Sequence, residues 1–172
     1  MIEKGGWEDL PELERLYHEL IDYLEGHTNY PGWKQGVYPV REDAAAGIEA
    51  GTLYVLRADR RIAGTVILNH TPHPAYARVD WGTELEDRQV LVVHTLAVHP
   101  FCLKRGVGRE LMDFAIQFGR QTHVKAIRLD VYEQNLPAIR LYRKDGFEYI
   151  DTIGLGYQAL GSDRYELYQK LL

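Results

Sequence analysis

The sequence predicts an α/β (α+β) protein in which helices flank a mixed sheet. The main observation is the segment 90–118, where an apolar, β-branched run passes through a short turn into an amphipathic helix. The run V-L-V-V-H-T-L-A-V has the composition of a strand buried on both faces. A second strand pattern, Ala126–Tyr132, follows the helix. A strand-helix-strand connection of this kind places its two strands parallel, through a right-handed crossover.

Weaker patterns predict the elements on either side of this central stretch. Asp9 is followed by Pro11 and, three residues on, by Glu12, which is typical of the capping box that opens a helix. Asn135 is the predicted N-cap of a later helix, with Pro137 in its first turn. The remaining predictions, in chain order, are a strand at 2–5, a helix that fades by Gly26, a helix at Arg41–Glu49, a hairpin of strands at 52–57 and 61–69, a helix at 135–144, and strands at 147–153 and 164–172.

The composition is that of an ordinary soluble domain of 172 residues, 45% hydrophobic and 26% charged. We therefore expect one domain over residues 1–172. A net charge of -5 provides no basic field to gather nucleic acid. The N-terminus lacks the apolar core of a signal peptide, and no apolar run approaches the roughly 20 residues that span a bilayer. Cys102 is the one cysteine, so these features indicate a cytoplasmic protein without a disulfide framework.

The turn that follows the central strand predicts a phosphate site. Lys104, Arg105 and Arg109 bring positive charge. Gly106 and Gly108 lack the Cβ atoms that would hold an anion away from the backbone. The first turn of the helix has N–H groups without intrahelical partners, at the positive end of the dipole. No third glycine completes a dinucleotide fingerprint, and no P-loop is present. Alternatively, the glycines only shape a turn and the basic side chains only solvate it.

A second distinctive stretch, N-L-P-A-I-R-L-Y-R-K-D-G-F, runs from Asn135 to Phe147. Helical spacing places Asn135, Ala138, Ile139 and Tyr142 on one face. The pattern N-x-x-A-x-x-x-Y-x-x-x-G-F, downstream of a strand, a G-x-G turn and a helix, resembles the GNAT superfamily of N-acetyltransferases. The resemblance covers almost the whole chain in element order. It implies a mixed, mostly antiparallel central sheet with a splayed parallel pair, flanked by helices.

The resemblance also implies that acetyl-CoA is the cofactor. The backbone of Leu96, Ala97 and Val98 would pair with its pantetheine arm like an added strand. Asn135 would hydrogen-bond the cofactor near the gap between the splayed strands. The family usually has Gln or Arg where this chain has Leu103, so the positive charge is displaced to the next two residues. The pyrophosphate would bind backbone amides of six consecutive residues: Lys104, Arg105, Gly106, Val107, Gly108 and Arg109.

The reaction that the resemblance implies is transfer of acetyl from sulfur to an amine, directly in a ternary complex. Tyr142 occupies the position of the family's general acid, and a phenol with an ordinary pKa of about 10 is protonated at neutral pH. A base must take the proton from the amine, and His94, the main candidate, has two interpretations. His94 lies two residues before Leu96, where some family members have a glutamate that relays a proton. An imidazole has an ordinary pKa of about 6.5, which suits the same role. Equally, His94 is a neutral core residue. Asp80 and Glu84 are weaker candidates.

The acceptor is predicted to be a small cationic amine or an amino-acid-like molecule, because a loop at residues 27–39 is rich in aromatic residues and acids lie nearby. Alternatively, the loop is anchored by its own aromatic side chains. No third ligand accompanies His70 and His73, so we expect no metal. The candidate acceptor contacts are Tyr30, Trp33, Tyr38, Glu84 and Tyr132.

Two other functions share the same fold. A non-catalytic acyl-CoA-binding sensor is one, although the presence of both Asn135 and Tyr142 favours an enzyme. A peptide or protein N-acetyltransferase is the other, and it would need an open groove across the loops at 27–39 and 155–163. A homodimer is common in the family, and the sequence does not specify its interface.

Overall fold

The computed structural model describes residues 1–161 and 163–172; residue 162, in the predicted loop at 155–163, lies outside the described residues. In these ranges the chain forms a seven-stranded sheet and four α-helices. No helix there is both long and apolar enough to cross a membrane. The strands are β1 (Ile2–Lys4), β2 (Leu53–Ala58), β3 (Arg61–Asn69), β4 (Val90–Val98), β5 (Ala126–Tyr132), β6 (Glu148–Ile153) and β7 (Tyr165–Leu171). The helices are α1 (Leu10–Glu25), α2 (Arg41–Glu49), α3 (Val107–Gln121) and α4 (Leu136–Lys144).

The strand order is β1-β2-β3-β4-β5-β7-β6. Antiparallel pairing joins β1 to β2, β2 to β3, β5 to β7 and β7 to β6, whereas β4 and β5 are parallel. The prediction of a mixed sheet with one parallel pair is therefore confirmed. The parallel register joins residues 90–92 to residues 126–128, in strands that are 9 and 7 residues long. So short a register is what a splayed pair requires.

Contacts divide the chain into two compact units, and each has an apolar cluster of its own. The first unit comprises Met1–Asn29, Trp33–Leu68 and His94–Phe114. The second unit comprises Tyr30–Gly32, Asn69–Val93 and Ala115–Leu172.

The core of the first unit forms where one face of α1 packs on the sheet. Apolar residues of α1 recur every three or four positions, so they share a face of the helix. Leu13, Leu16 and Tyr17 on that face are at most 1% exposed. They cluster with strand residues that include Leu53 and Ile62. Burying an aliphatic side chain of this size is worth about 1.5–3 kcal/mol, so apolar packing sets the position of α1.

Strand β3 and the start of α3 approach each other closely at Gly64. A Cβ atom built there would lie 2.8 Å from Val107 Cγ1, 3.0 Å from Leu111 Cδ1 and 3.0 Å from the carbonyl oxygen of Ala97. A side chain at residue 64 would have to displace backbone as well as side chains. Glycine therefore allows β3, the end of β4 and the first turns of α3 to pack together.

The capping box predicted at Asp9 is wrong in its hydrogen-bond partners. Asp9 precedes the first residue of α1, but its side chain makes no bond to the helix. Its carboxylate accepts from the Gly6 N–H at 3.0 Å and from the Arg57 guanidinium at 2.6 Å. Glu12 accepts from the N–H of Ile62 at 2.9 Å. The Asp9 carboxylate thus pairs with the cation of Arg57 on β2, and the Glu12 carboxylate with a backbone N–H of β3, so both acids join the start of α1 to the sheet instead.

The segment between β3 and β4 packs on the sheet in the second unit. Tyr76 and Trp81 of this segment are buried and belong to the apolar cluster of that unit. Trp81 Nε1 donates to the carbonyl oxygen of Tyr76 at 3.0 Å. Gln169 of β7 donates to the carbonyl oxygen of Trp81 at 3.0 Å. The segment is therefore held by buried hydrogen bonds as well as by apolar contact.

Candidate functional site

The predicted phosphate turn lies between β4 and α3 in the first unit. Its backbone is left-handed at Lys104 and Gly106, with φ of 61° and 83°, and a Cβ built on Gly106 would meet nothing within 4 Å. The Glu110 N–H donates to the Gly106 carbonyl at 2.9 Å and begins the helical ladder. The N–H groups of Val107 and Gly108 precede that ladder and have no earlier carbonyl in the helix. N–H groups without an acceptor inside the helix thus lie where the sequence predicted an anion.

Basic side chains surround this turn. Lys104, Arg105 and Arg109 are exposed. Arg109 Nε lies 3.9 Å from Asp113 Oδ2 one helical turn further on, and a surface pair of this kind is worth about 0–1 kcal/mol. Such a pair leaves Arg109 able to turn toward an anion. The turn therefore combines backbone donors with mobile positive charge.

His99 fixes the start of the turn. Its N–H donates to the carbonyl oxygen of Ala63 at 2.8 Å, and its Nδ1 accepts from the N–H of Phe101 at 3.2 Å. Because Nδ1 accepts, the neutral ring carries its proton on Nε2. Nε2 lies 3.0 Å from Glu19 Oε2 and donates to it. The turn is thereby connected to β3 and to α1 within the first unit.

The residues predicted to pair with pantetheine form the end of β4. Leu96 and Val98 are half-buried and Ala97 is buried, so alternate side chains face opposite sides of the strand. Thr95, directly before them, has φ of 47°, a conformation that β-branched residues rarely adopt. The Tyr38 hydroxyl hydrogen-bonds Thr95 Oγ1. Nothing in the sequence indicated this bend, since a threonine within an apolar run is typical of an ordinary strand.

His94, the candidate base, lies on β4 two residues before Leu96 and is half-buried. Half-burial is compatible with a base that an amine or a water molecule can reach. It is equally compatible with a histidine that only packs in the strand. The role of His94 in proton transfer therefore stays a prediction.

The aromatic loop at residues 27–39 is held in place by its own side chains. Trp33 packs against the core of the first unit, and its ring meets that of Tyr38 edge to face at 5.9 Å. Asn29 donates to the Trp33 carbonyl at 2.7 Å and accepts from its N–H at 3.2 Å. These contacts support the anchoring interpretation for Trp33 and Tyr38, whereas Tyr30 is 39% exposed. Contact of these three residues with an acceptor stays a prediction.

The second unit holds the two α4 residues on which the family resemblance depends. Asn135 caps α4, as predicted, with Oδ1 accepting from the Ala138 N–H at 3.4 Å. Its Nδ2 group has two hydrogens that can donate to the cofactor, and this contact stays a prediction. Tyr142 is only 7% exposed. Its ring packs near those of Phe147 and Tyr168, with centroids 6.0 Å and 6.4 Å away.

Two effects raise the pKa of the Tyr142 phenol above its ordinary value. Burial is the larger, and the negative charge of Asp130 on β5 adds to it. Asp130 also accepts from the Tyr76 hydroxyl at 2.6 Å. A raised pKa keeps Tyr142 protonated, which is the form that a general acid needs. Sequence reasoning missed Asp130, although strict alternation places it on the same face of β5 as Tyr132.

Tyr132, a candidate acceptor contact, ends β5 within a cluster of aromatic rings. Its ring lies 5.9 Å from that of Tyr165, which meets Tyr157 edge to face at 5.2 Å. A Cβ built on Gly32 would lie 3.3 Å from the Tyr132 ring. Asp163 shapes the loop that carries Tyr157. Its carboxylate accepts from three backbone N–H groups, of which that of Tyr157 does most to lower the pKa of Asp163.

The predicted site residues fall into two groups, one in each unit. Glu84 is exposed on the segment between β3 and β4. The first unit contains His94, the end of β4, the phosphate turn, Trp33 and Tyr38. The second unit contains Tyr30, Glu84, Tyr132, Asn135 and Tyr142.

The fold of this chain is similar to the folds of solved acetyltransferases. The yncA protein of Salmonella typhimurium, solved with its cofactor acetyl-CoA, superposes with a TM-score of 0.71 at 19% identity, covering 100% of this chain and 93% of that chain. The shared fold is that of acetyltransferases that use acetyl-CoA. A sequence model of the acetyltransferase (GNAT) family matches residues 11–147. The chain therefore belongs to the acetyltransferase (GNAT) family.

Two relatives differ in the acceptor for which they are named. The chain is 39% identical over 155 residues to the peptidyl-lysine N-acetyltransferase YiaC of Escherichia coli, covering 88% of this chain and 85% of YiaC. It is 29% identical over 133 residues to the streptothricin acetyltransferase of Streptomyces lavendulae, covering 76% of this chain and 63% of that enzyme. The chain spans less than two thirds of the length of the first curated relatives that it matches, 24% and 63%.

Proposed function

We propose that the protein transfers the acetyl group of acetyl-CoA to the amine of a small molecule, directly within a ternary complex. The amine nitrogen attacks the thioester carbonyl, so that a C–N bond forms and the C–S bond breaks. The amine loses a proton and the departing thiolate takes one up. Tyr142 is the proposed donor to the thiolate. The observation that carries this proposal is the burial of Tyr142 near the charge of Asp130, which favours the protonated phenol.

The residues present fit the phosphates of acetyl-CoA. Gly106 leaves the space above the start of α3 open, and Lys104 and Arg105 are exposed beside it. A diphosphate at this position would accept from backbone N–H groups and gain from the helix dipole. Residues 96–98 offer backbone groups to the pantetheine arm, and Asn135 offers its side-chain amide. When bound, acetyl-CoA supplies the activated thioester.

A small cationic amine is the acceptor that the local charges favour. Glu84, Glu86 and Asp87 are exposed on one short stretch of the chain. A concentration of negative charge attracts an ammonium group and raises its local concentration. The similarity to a streptothricin acetyltransferase also supports a small-molecule acceptor.

A lysine side chain of a peptide is the second candidate acceptor. The observation that favours it is the similarity to YiaC, a peptidyl-lysine N-acetyltransferase, over most of both chains. A lysine side chain and a small amine present the same ammonium group, so the same proton transfers apply to both. The two candidates differ only in what surrounds that group, and a panel of acceptors separates them.

The test of the proposed function combines thermal melting with an assay for free thiol. Acetyl-CoA at about 100 times its Kd stabilises a native state that binds it by about 2.7 kcal/mol, so we expect Tm to rise by about 5–10 °C. Thiol release is then measured with polyamines, aminoglycosides, free amino acids and a lysine peptide. We expect release with at least one small amine. Release with the peptide alone would establish the second candidate. Stabilisation without release would favour an acyl-CoA sensor, and no stabilisation would overturn the phosphate turn.

The variant His94→Ala is expected to lose kcat/KM mainly near neutral pH. An alkyl amine has an ordinary pKa of about 10, so at pH 7 a base must remove its proton before attack. At higher pH the free amine is abundant and needs less help. We expect a loss of about 10²-fold near pH 7 that shrinks markedly by about pH 9.5. The control His18→Ala, at an exposed position on α1, should follow the wild type. A pH–rate profile for His94→Ala parallel to that of the wild type would remove His94 from proton transfer.

A further inference from the structure

A cavity of about 890 Å³ lies in the second unit, lined by the segment between β3 and β4 and by β5. Its inner wall is buried, because Tyr76, Trp81 and Arg128 are at most 8% exposed. Its rim is exposed and acidic, and carries Glu84 and Asp87. The volume is in the range of sites for small molecules. Neither the phosphate turn nor Tyr142 belongs to this cavity.

Arg128 is held firmly in the cavity wall. Its Nε donates to Gln169 Oε1 at 2.9 Å, and its guanidinium carbon lies 4.3 Å from the centroid of the Trp81 ring. Gln169 also donates to the carbonyl oxygen of Trp81. Turning the guanidinium out to solvent would break both of its contacts. The wall therefore presents a fixed positive charge.

Two buried polar atoms of the lining have no hydrogen-bond partner among the described residues, Arg128 Nη2 and Thr83 Oγ1. Folded proteins nearly always satisfy such groups, because an unsatisfied one is costly. Burial lowers the pKa of the Arg128 guanidinium, and the charge of Asp87 opposes that shift, so the group stays cationic. Both atoms are suited to an acceptor that a ligand brings.

We propose that this cavity binds an amino-acid-like molecule, with its carboxylate on Arg128 and Thr83 and its ammonium group at the acidic rim. A carboxylate matches the donors of a guanidinium and also accepts from a hydroxyl. An anion without an ammonium group would be repelled by Glu84 and Asp87. An amine without a carboxylate would leave Arg128 Nη2 without an acceptor. A ligand that carries both charges meets the requirements of the wall and of the rim.

The same chemistry is offered by an amino acid that is itself acetylated and by one that regulates the enzyme. Tyr76 lines the cavity and donates to Asp130, and the charge of Asp130 raises the pKa of Tyr142. These contacts connect the cavity with the proposed general acid in either case. Binding does not depend on the proposed function, because it can be measured without acetyl-CoA.

Thermal melting of the full chain with each of the twenty common amino acids, in the absence of acetyl-CoA, is the first measurement. Calorimetry then compares the strongest ligand with its carboxamide, which lacks the negative charge. We expect at least one amino acid to raise Tm, and its carboxamide to bind about 10- to 100-fold more weakly. Failure of every amino acid to raise Tm would overturn the proposal, and so would equal affinity of the carboxamide.

Three variants locate the ligand. Arg128→Gln should weaken Kd about 10- to 100-fold and Thr83→Val about 3- to 10-fold. Thr83 is less buried than Arg128, so Thr83→Val keeps the test valid if Arg128→Gln does not fold. Arg78→Gln removes a charge from the same segment outside the lining and should leave Kd unchanged. Wild-type Kd in Thr83→Val would contradict the site.

Two further readouts separate this proposal from the proposed function. All three variants should keep the wild-type affinity for acetyl-CoA, so that loss of amino-acid binding is independent of the phosphate turn. Acetylation of the bound amino acid in the complete enzyme would identify it as the acceptor. A change in the acetylation rate of another amine, with the amino acid unmodified, would identify it as an effector.

Discussion

The variant Tyr142→Phe is expected to lose about 10²- to 10⁴-fold in kcat, while its Kd for acetyl-CoA stays within about twofold of the wild type. The lost hydroxyl is the proposed proton donor to the departing thiolate, and general acids contribute on this scale. Phenylalanine keeps the ring that packs near Phe147 and Tyr168, so the fold should be retained. Steady-state kinetics at saturating acetyl-CoA and a calorimetric Kd measure the two quantities separately.

Tyr17→Phe is the matched control for this variant. Tyr17 is fully buried, its hydroxyl has no hydrogen-bond partner among the described residues, and burial raises its pKa as well. It thus resembles Tyr142 in environment but lies on α1. We expect its kcat to be unchanged. Wild-type kcat in Tyr142→Phe would exclude Tyr142 as the acid, and equal losses in both variants would indicate a packing effect.

The raised pKa of Tyr142 also sets the sign of its pH dependence. A free phenol loses its proton at a pKa of about 10, whereas burial and then Asp130 raise the pKa of Tyr142 above that value. The acid therefore stays protonated as the pH rises through the ordinary range. We expect kcat not to fall from ionisation of Tyr142 between about pH 7 and pH 10. A descending limb in that range that is absent from Tyr142→Phe would show that Tyr142 ionises there, and would contradict the raised pKa.

The variant Gly106→Ala is expected to bind acetyl-CoA about 10- to 100-fold more weakly, the effect of losing one hydrogen bond to a charged group. Gly106 has φ of 83°, and a left-handed alanine costs about 1–2 kcal/mol. Relief of that strain turns the backbone away and removes the N–H groups from the phosphates. Equilibrium dialysis with acetyl-CoA measures the Kd, and urea unfolding measures the free energy of unfolding.

Gly156→Ala is the control for backbone strain. Gly156 also has φ of 83° and nothing within 4 Å of a built Cβ, but it lies in the loop between β6 and β7. Both variants should lose a similar free energy of unfolding, and only Gly106→Ala should lose affinity for acetyl-CoA. Unchanged affinity in Gly106→Ala would show that the turn is not the phosphate site.

Much of the fold followed from local patterns, since each depends on residues close together in the chain. Strand Ala126–Tyr132 and helix Arg41–Glu49 have the predicted bounds, and Asn135 is an N-cap because its partner is three residues away. Asp9 fits a local rule equally well, yet its partner Arg57 is 48 residues away. A capping pattern cannot show that a cation from a distant strand competes for the same carboxylate.

The candidate sites show the same difference between features that depend on consecutive residues and features that depend on distant ones. The turn before α3 and the start of that helix were predictable because the glycines, the basic residues and the helix start are consecutive, and phosphate binding there stays a prediction. The cavity around Arg128 was not, because it depends on how the segment between β3 and β4 packs, and that segment has no periodicity. Alternation along β5 did place Arg128, Asp130 and Tyr132 on one face. It could not show that one of them would face a cavity and another the hydroxyl of Tyr76.

The hydrogen bond between Tyr38 and Thr95 couples the choice of residue at these two positions. A left-handed conformation is costly for a β-branched residue but not for glycine or asparagine. The hydroxyl of Tyr38 offsets a cost that the side chain at residue 95 creates. Loss of the hydroxyl alone leaves that cost in place, and glycine at 95 alone removes the Oγ1 atom that bonds the hydroxyl. During sequence divergence, positions 38 and 95 should therefore change together more readily than singly, although 57 residues separate them in the chain.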